Sequence, residues 1–85
     1  MKVRVRFFAS VAEQLGSTGE EVELPSEVTT VAGLRAHLRA RGGAWEQVLG
    51  ERRLVRASVN LDMVKAGAAI GAGDEVGFFP PVTGG

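Results

Sequence analysis

The chain has 85 residues, 45% of them hydrophobic and 24% charged, with ten basic and ten acidic side chains and a formal net charge of zero. That leaves room for one domain around one core, makes disorder a poor expectation, and argues against a dedicated nucleic-acid binder. With no cysteine and one histidine there is no disulfide, no thiolate and no set of converging metal ligands.

The opening "KVRVRFF" alternates. Val3, Val5 and Phe7 share one face, and Lys2, Arg4 and Arg6 the other, as in a half-buried strand. An alternating start also differs from the continuous apolar run of a signal peptide, so none is expected. "SVAEQLG" reads as a short helix, with Ser10 and Glu13 fitting a capping box and Gly16 the stop. "STG" is a turn. "EEVEL" alternates again with Val22 and Leu24 inward, predicting a second strand antiparallel to the first. Pro25 ends that strand.

Thr29 or Thr30 then caps the main helix, which is expected to run to about Arg41. Val31, Leu34 and Leu38 make one apolar stripe along it, and the pair Gly42-Gly43 stops it. "AWEQVL" adds a short turn packing Trp45, Val48 and Leu49 inward. "LVRASVN" is a third strand with Val55, Ala57 and Val59 on one face. Asn60 and Asp62 fall in a turn, and Met63 and Val64 continue as a short edge strand. "GAGD" turns the chain into "EVGFF", the last strand, with Val76 and Phe78 inward. None of the runs is long enough to span a membrane.

This order of elements predicts one α+β domain, a mixed sheet packed on one main helix. It is the order of the β-grasp, or ubiquitin-like, fold. The expected division is a domain over residues 1–79 and an extended tail over residues 80–85. In the β-grasp arrangement the first and last strands are adjacent and parallel. If Phe7 and Phe78 enter the core, Phe8 and Phe79 leave it, and Met63 joins them in an apolar patch that suits a partner. For Phe8 the competing expectation is that the helix after it covers the ring. Lys2, Arg4 and Arg6 read as a solvated face, or as a surface for an acidic partner. His37 reads as a surface or boundary residue, and Arg52 and Arg53 as solvated loop charges.

Side chains offer no catalytic constellation: there is no Walker loop, no G-x-S-x-G and no dinucleotide fingerprint. The chain end, "FFPPVTGG", is a better candidate. A terminal carboxylate is ionised at neutral pH and a poor electrophile. Joined to AMP it becomes a mixed anhydride open to a sulfur nucleophile, and the product is a thiocarboxylate. Gly84 and Gly85 let an enzyme close around the last carbonyl. Pro80 and Pro81 fix φ and carry the tail away from the strand. From Pro80 to Gly85 the reach is roughly 20 Å at about 3.3 Å per extended residue. Val82 and Thr83 are expected to make strand-like contacts in a partner's pocket.

With the tail, "GDEVGFF", "VRFFASVAEQLG", "TTVAGLRAHL" and "SVNLDMV" make nearly the whole chain similar to the small subunit of molybdopterin synthase. That family sits among the ubiquitin-like sulfur carriers, beside the thiamine sulfur carrier. The resemblance implies a cytoplasmic sulfur carrier that is no enzyme in isolation and binds no cofactor itself. An E1-like adenylyltransferase would use ATP to activate Gly85, and a sulfurtransferase system would supply sulfur. The tail would then enter the large synthase subunit, in an assembly of two small and two large chains. There it would donate sulfur to cyclic pyranopterin monophosphate. A carrier for thiamine or tRNA thiolation, a ubiquitin-like protein modifier, and a purely structural interaction module remain alternatives.

Overall fold

The structure, a computed structural model, describes residues 1–81. In chain order its elements are β1 (Lys2–Phe7), α1 (Ala9–Leu15), β2 (Gly19–Glu23), α2 (Val31–Arg39), α3 (Ala44–Val48), β3 (Arg56–Val59), β4 (Asp62–Val64) and β5 (Glu75–Phe79). The strands form one sheet in the order β2-β1-β5-β3-β4. β1 runs antiparallel to β2, with Val3 opposite Val22, and parallel to β5, with Val5 opposite Val76 and Phe7 opposite Phe78. Parallel neighbours cannot be joined by a hairpin, so the chain between them must cross one face of the sheet, and it carries the helices there. β5 pairs antiparallel with β3, and β3 with β4. This is the expected β-grasp sheet.

Alternation decides what is buried. Val3, Val5, Phe7, Val22, Val76 and Phe78 point into the core, where they meet Val11 of α1, Val31, Leu34 and Leu38 of α2, and Val48 and Leu49. Each such side chain contributes about 1.5–3 kcal/mol by leaving water. Phe7 is the hub: Phe78 stacks on it at 6.3 Å and Trp45 meets it edge-on at 5.5 Å. Arg41 lies 4.5 Å over the Trp45 ring and grips Glu20 at 2.6 and 3.0 Å, fastening the end of the helical layer to β2.

Three details differ from the sequence expectation. The capping box is absent: Phe8, still extended, is the N-cap of α1 and Ser10 lies inside the helix, because the chain passes straight from β1 into α1. α2 is capped by Thr30, whose hydroxyl accepts from Gly33 at 3.1 Å, but it ends at Arg39 with Ala40 as its C-cap. Gly42 and Gly43, at φ 78° and 56°, instead turn the chain into α3. Finally, the turn between β3 and β4 is Asn60-Leu61, both at positive φ, so Asp62 belongs to β4.

Candidate functional site

β5 is the central strand, flanked by β1 and β3. Pro80 and Pro81 follow it directly, outside the sheet and partly buried. The tail is therefore rooted at the middle of the sheet. Val82, Thr83, Gly84 and Gly85 lie outside the described residues.

Beside this root, on the sheet face away from the helices, lies the predicted aromatic pair. Phe8 and Phe79 meet edge-to-face, centroids 6.2 Å apart and planes at 76°, a favourable arrangement of two ring quadrupoles. Phe8 is 43% exposed, so α1 leaves its ring open. Phe79 is half-buried. Met63 is exposed and sits opposite Ser58 on β3, which itself faces Gly77 of β5. One row thus crosses the outer face from Arg6 through Gly77 and Ser58 to Met63, and the next holds Phe79 and Arg56. Phe8 and Phe79 are thus in contact beside the tail root, and Met63 lies on the same outer face in the row of Gly77 and Ser58.

Gly77 makes the patch flat, and sequence reasoning did not single it out. A Cβ there would stand 2.8 Å from Ser58 Oγ and 3.0 Å from Phe8 Cε2. The bare backbone of β5 is what lets the Phe8 ring lie across the strand. A lone glycine inside an alternating strand is the signal that marks such an approach.

The basic residues of β1 face solvent with acidic neighbours of their own chain. Glu21 lies 3.8 Å from Lys2 and 3.4 Å from Arg4, and Arg6 is 3.7 Å from Glu75. His37 is half-buried on α2, while Arg52 and Arg53 are exposed. Among the described residues no cluster of histidine and acidic side chains could hold a metal ion. No described helix is long and apolar enough to cross a membrane.

Two polar devices hold the frame, and neither was anticipated. Arg35 donates to the carbonyls of Leu49, Gly50 and Arg53 at 2.8, 2.6 and 2.8 Å, tying α2 to the segment before β3. Burial pushes its guanidinium below the usual arginine range. Asp74 accepts from Gly71 N–H at 2.8 Å and from Asn60 Nδ2 at 3.1 Å, while Asn60 Oδ1 accepts from Glu75 N–H at 3.0 Å. The Gly71 amide first, and Asn60 second, hold the Asp74 carboxyl below the ordinary carboxylate range. Between α2 and the β3–β4 edge runs a groove of about 480 Å³, floored by Val31, Val55 and Val64 and rimmed by Arg39, Arg56 and Lys65.

The description "ThiS family" belongs to a family model that matches residues 5–85, from β1 through the last glycine. The chain belongs to the ThiS family. It is 41% identical over 83 residues to the molybdopterin synthase sulfur carrier subunit of Escherichia coli, covering 98% of this chain and 99% of that one. The crystal structure of SAMP1 from Haloferax volcanii superposes with a TM-score of 0.79 at 30% identity, covering both chains completely. A complex of subunits 1 and 2 of the molybdopterin-converting factor from Helicobacter pylori contains a chain similar in fold, with a TM-score of 0.68 at 23% identity and full coverage of both. The family and fold expected from the tail and the element order stand.

Proposed function

We propose that this ThiS-family chain is the sulfur-carrier subunit of a molybdopterin synthase, with Gly85 as the reactive end. The observation that carries the reading is the similarity to the Escherichia coli sulfur carrier subunit over essentially the whole of both chains. The placement of the Phe8–Phe79 pair beside the tail root, with exposed Met63 on the same sheet face, supports it, because one partner can bury that face and receive the tail in the same encounter.

In this reading the chain is a β-grasp body over residues 1–79 and a delivery tail over residues 80–85. A partner of the E1 class adenylates Gly85 with ATP, and a sulfur donor displaces AMP to leave a thiocarboxylate. The thiocarboxylate is the nucleophile that the side chains, without a cysteine, do not supply. Phe79, Met63 and Phe8 dock on the large synthase subunit, whose counterpart is named in the Helicobacter pylori complex. That subunit brings the acid–base groups and the cyclic pyranopterin monophosphate. The chain acts in the cytoplasm, binds no cofactor and has no activity alone.

A second reading, a protein modifier that forms isopeptide bonds, is favoured by one observation. Small archaeal modifier protein 1 of Haloferax volcanii is 31% identical over 84 residues, covering 94% of this chain and 97% of that one. Mass spectrometry separates the two. A thiocarboxylate raises the intact mass by about 16 Da, one oxygen exchanged for sulfur, and its formation requires ATP and the activating partner. Deleting Gly85 leaves the melting temperature nearly unchanged, since a chain end contributes little burial. It abolishes sulfur transfer, because a shift of the reacting carbonyl by about 1 Å already costs about 100-fold. Full molybdopterin synthesis by the shortened chain refutes the reading.

A further inference from the structure

We propose that Arg56 is the specificity-determining residue of the docking face: it admits a partner that sets a carboxylate between Phe79 and Met63, and rejects one that offers only apolar atoms there. The inference rests on the reading that this face docks on the large synthase subunit, and deepens it by naming the chemistry that subunit must present.

Strand alternation brings Arg56 to this face. Its position borders the groove beside α2, but Val55 and Ala57 on either side of it pack on the core. Its own side chain therefore leaves by the opposite face of the sheet, where it is exposed. In the β3–β5 ladder Arg56 lies opposite Phe79, which sets their Cβ atoms about 5 Å apart. Across the β3–β4 ladder, Met63 stands opposite Ser58, two residues along from Arg56, as a diagonal neighbour at roughly 7–8 Å. Phe79 in turn touches Phe8. Arg56 thus stands on the strand between the two apolar side chains that a partner has to cover.

The other cations of the outer face have carboxylates of their own chain. Lys2 and Arg4 lie 3.8 and 3.4 Å from Glu21, and Arg6 lies 3.7 Å from Glu75. Arg56 forms no ion pair among the described residues. Glu75, the acidic residue of the strand beside it, is four positions along β5 from Phe79, roughly 13 Å away.

Docking changes the state of this cation. A partner that buries Phe79 and Met63 together also takes water from the guanidinium between them. A charge covered without a partner costs more than the apolar contacts around it return. The arginine fork is matched by a carboxylate, which accepts two parallel N–H···O bonds. The same cation attracts a carboxylate during approach. A surface with apolar atoms at that point leaves the guanidinium unpaired, and this penalty is what discriminates between partners.

The test is titration calorimetry of the full chain against the purified large synthase subunit of the same genome, at low and high salt. Arg56→Met keeps a long apolar stem and removes the charge. It leaves the partner's carboxylate unpaired, so the dissociation constant should rise by at least about tenfold, with a flatter dependence on salt. Arg56→Lys returns the charge without the fork, and should recover the salt dependence and part of the affinity. Arg56→Glu opposes two negative charges and should bind most weakly of the three. Were the guanidinium to meet apolar atoms, Arg56→Met would relieve an unpaired charge and bind as tightly as the parent or more tightly. That result overturns the proposal, as does a loss of affinity that is the same at both salt concentrations or that Arg56→Lys does not repair. Phe79→Ala in parallel tests the face itself. Parent-like binding by both Phe79→Ala and Arg56→Met refutes docking through this face, whereas weakening by Phe79→Ala alone sinks only the role of Arg56.

Discussion

Substituting Gly77 by valine separates docking from folding. The first added carbon stands 3.0 Å from Phe8 Cε2 and 2.8 Å from Ser58 Oγ, whereas carbon atoms rest at about 3.5–4.0 Å. The Phe8 ring must therefore move by about 0.5–1 Å, and valine's two methyl groups push it further. Neither obstacle is backbone: the ring is open to solvent and the serine hydroxyl can rotate, so the fold absorbs the change. Replacing glycine within a strand also recovers about 0.5–1 kcal/mol of backbone entropy and propensity. Net stability is expected to stay within about 1 kcal/mol of the parent by urea unfolding. Docking is another matter. The edge-to-face contact with Phe79 at 6.2 Å, worth about 0.5–1.5 kcal/mol, is lost or reshaped, and the flat surface acquires a ridge. Affinity for the large synthase subunit, measured by titration calorimetry, should fall by about 1–2 kcal/mol, roughly five- to thirtyfold. An unchanged dissociation constant with Gly77→Val folded refutes the assignment of this face to docking.

Phe79→Ala should weaken the same complex by more than about 1 kcal/mol, the level that marks an important interface residue; calorimetry on the folded variant checks it. Arg35→Met removes the donor to three carbonyls and should cost about 1–3 kcal/mol of stability in denaturant unfolding, with sulfur transfer at permissive temperature retained. Asp74 sets an acid limit. Its folded pKa is lowered, so its contribution is complete above the unfolded value of about 4 and is lost as pH falls through the folded pKa. Melting curves should show Asp74→Asn less stable than the parent at neutral pH, with the gap narrowing below about pH 4; a constant gap contradicts the linkage.

Much of this molecule was legible because its strands alternate. Once Val5 and Phe7 are assigned inward, the chain's geometry sends Phe8 outward, and the neighbouring β1 and β5 bring it against Phe79. The Ser10–Glu13 pattern misled because a capping box describes a helix entered from a loop, whereas α1 is entered from a strand whose last extended residue, Phe8, takes the N-cap position. The arginine clamp was illegible for a different reason. Arg35 reaches carbonyls 14 to 18 residues away, and a backbone acceptor leaves no trace in side-chain identity. The Asn60–Asp74 bracket, 14 residues apart, is hidden in the same way.

The position of β5 between β1 and β3 has a mechanical consequence. A pull applied to Pro80 along the axis of the central strand loads the ladders on both sides in shear, and their hydrogen bonds share the force. A tail hung from an edge strand at right angles would instead peel its ladder open one bond at a time. A body anchored in this way meets a pull on its end with two ladders at once.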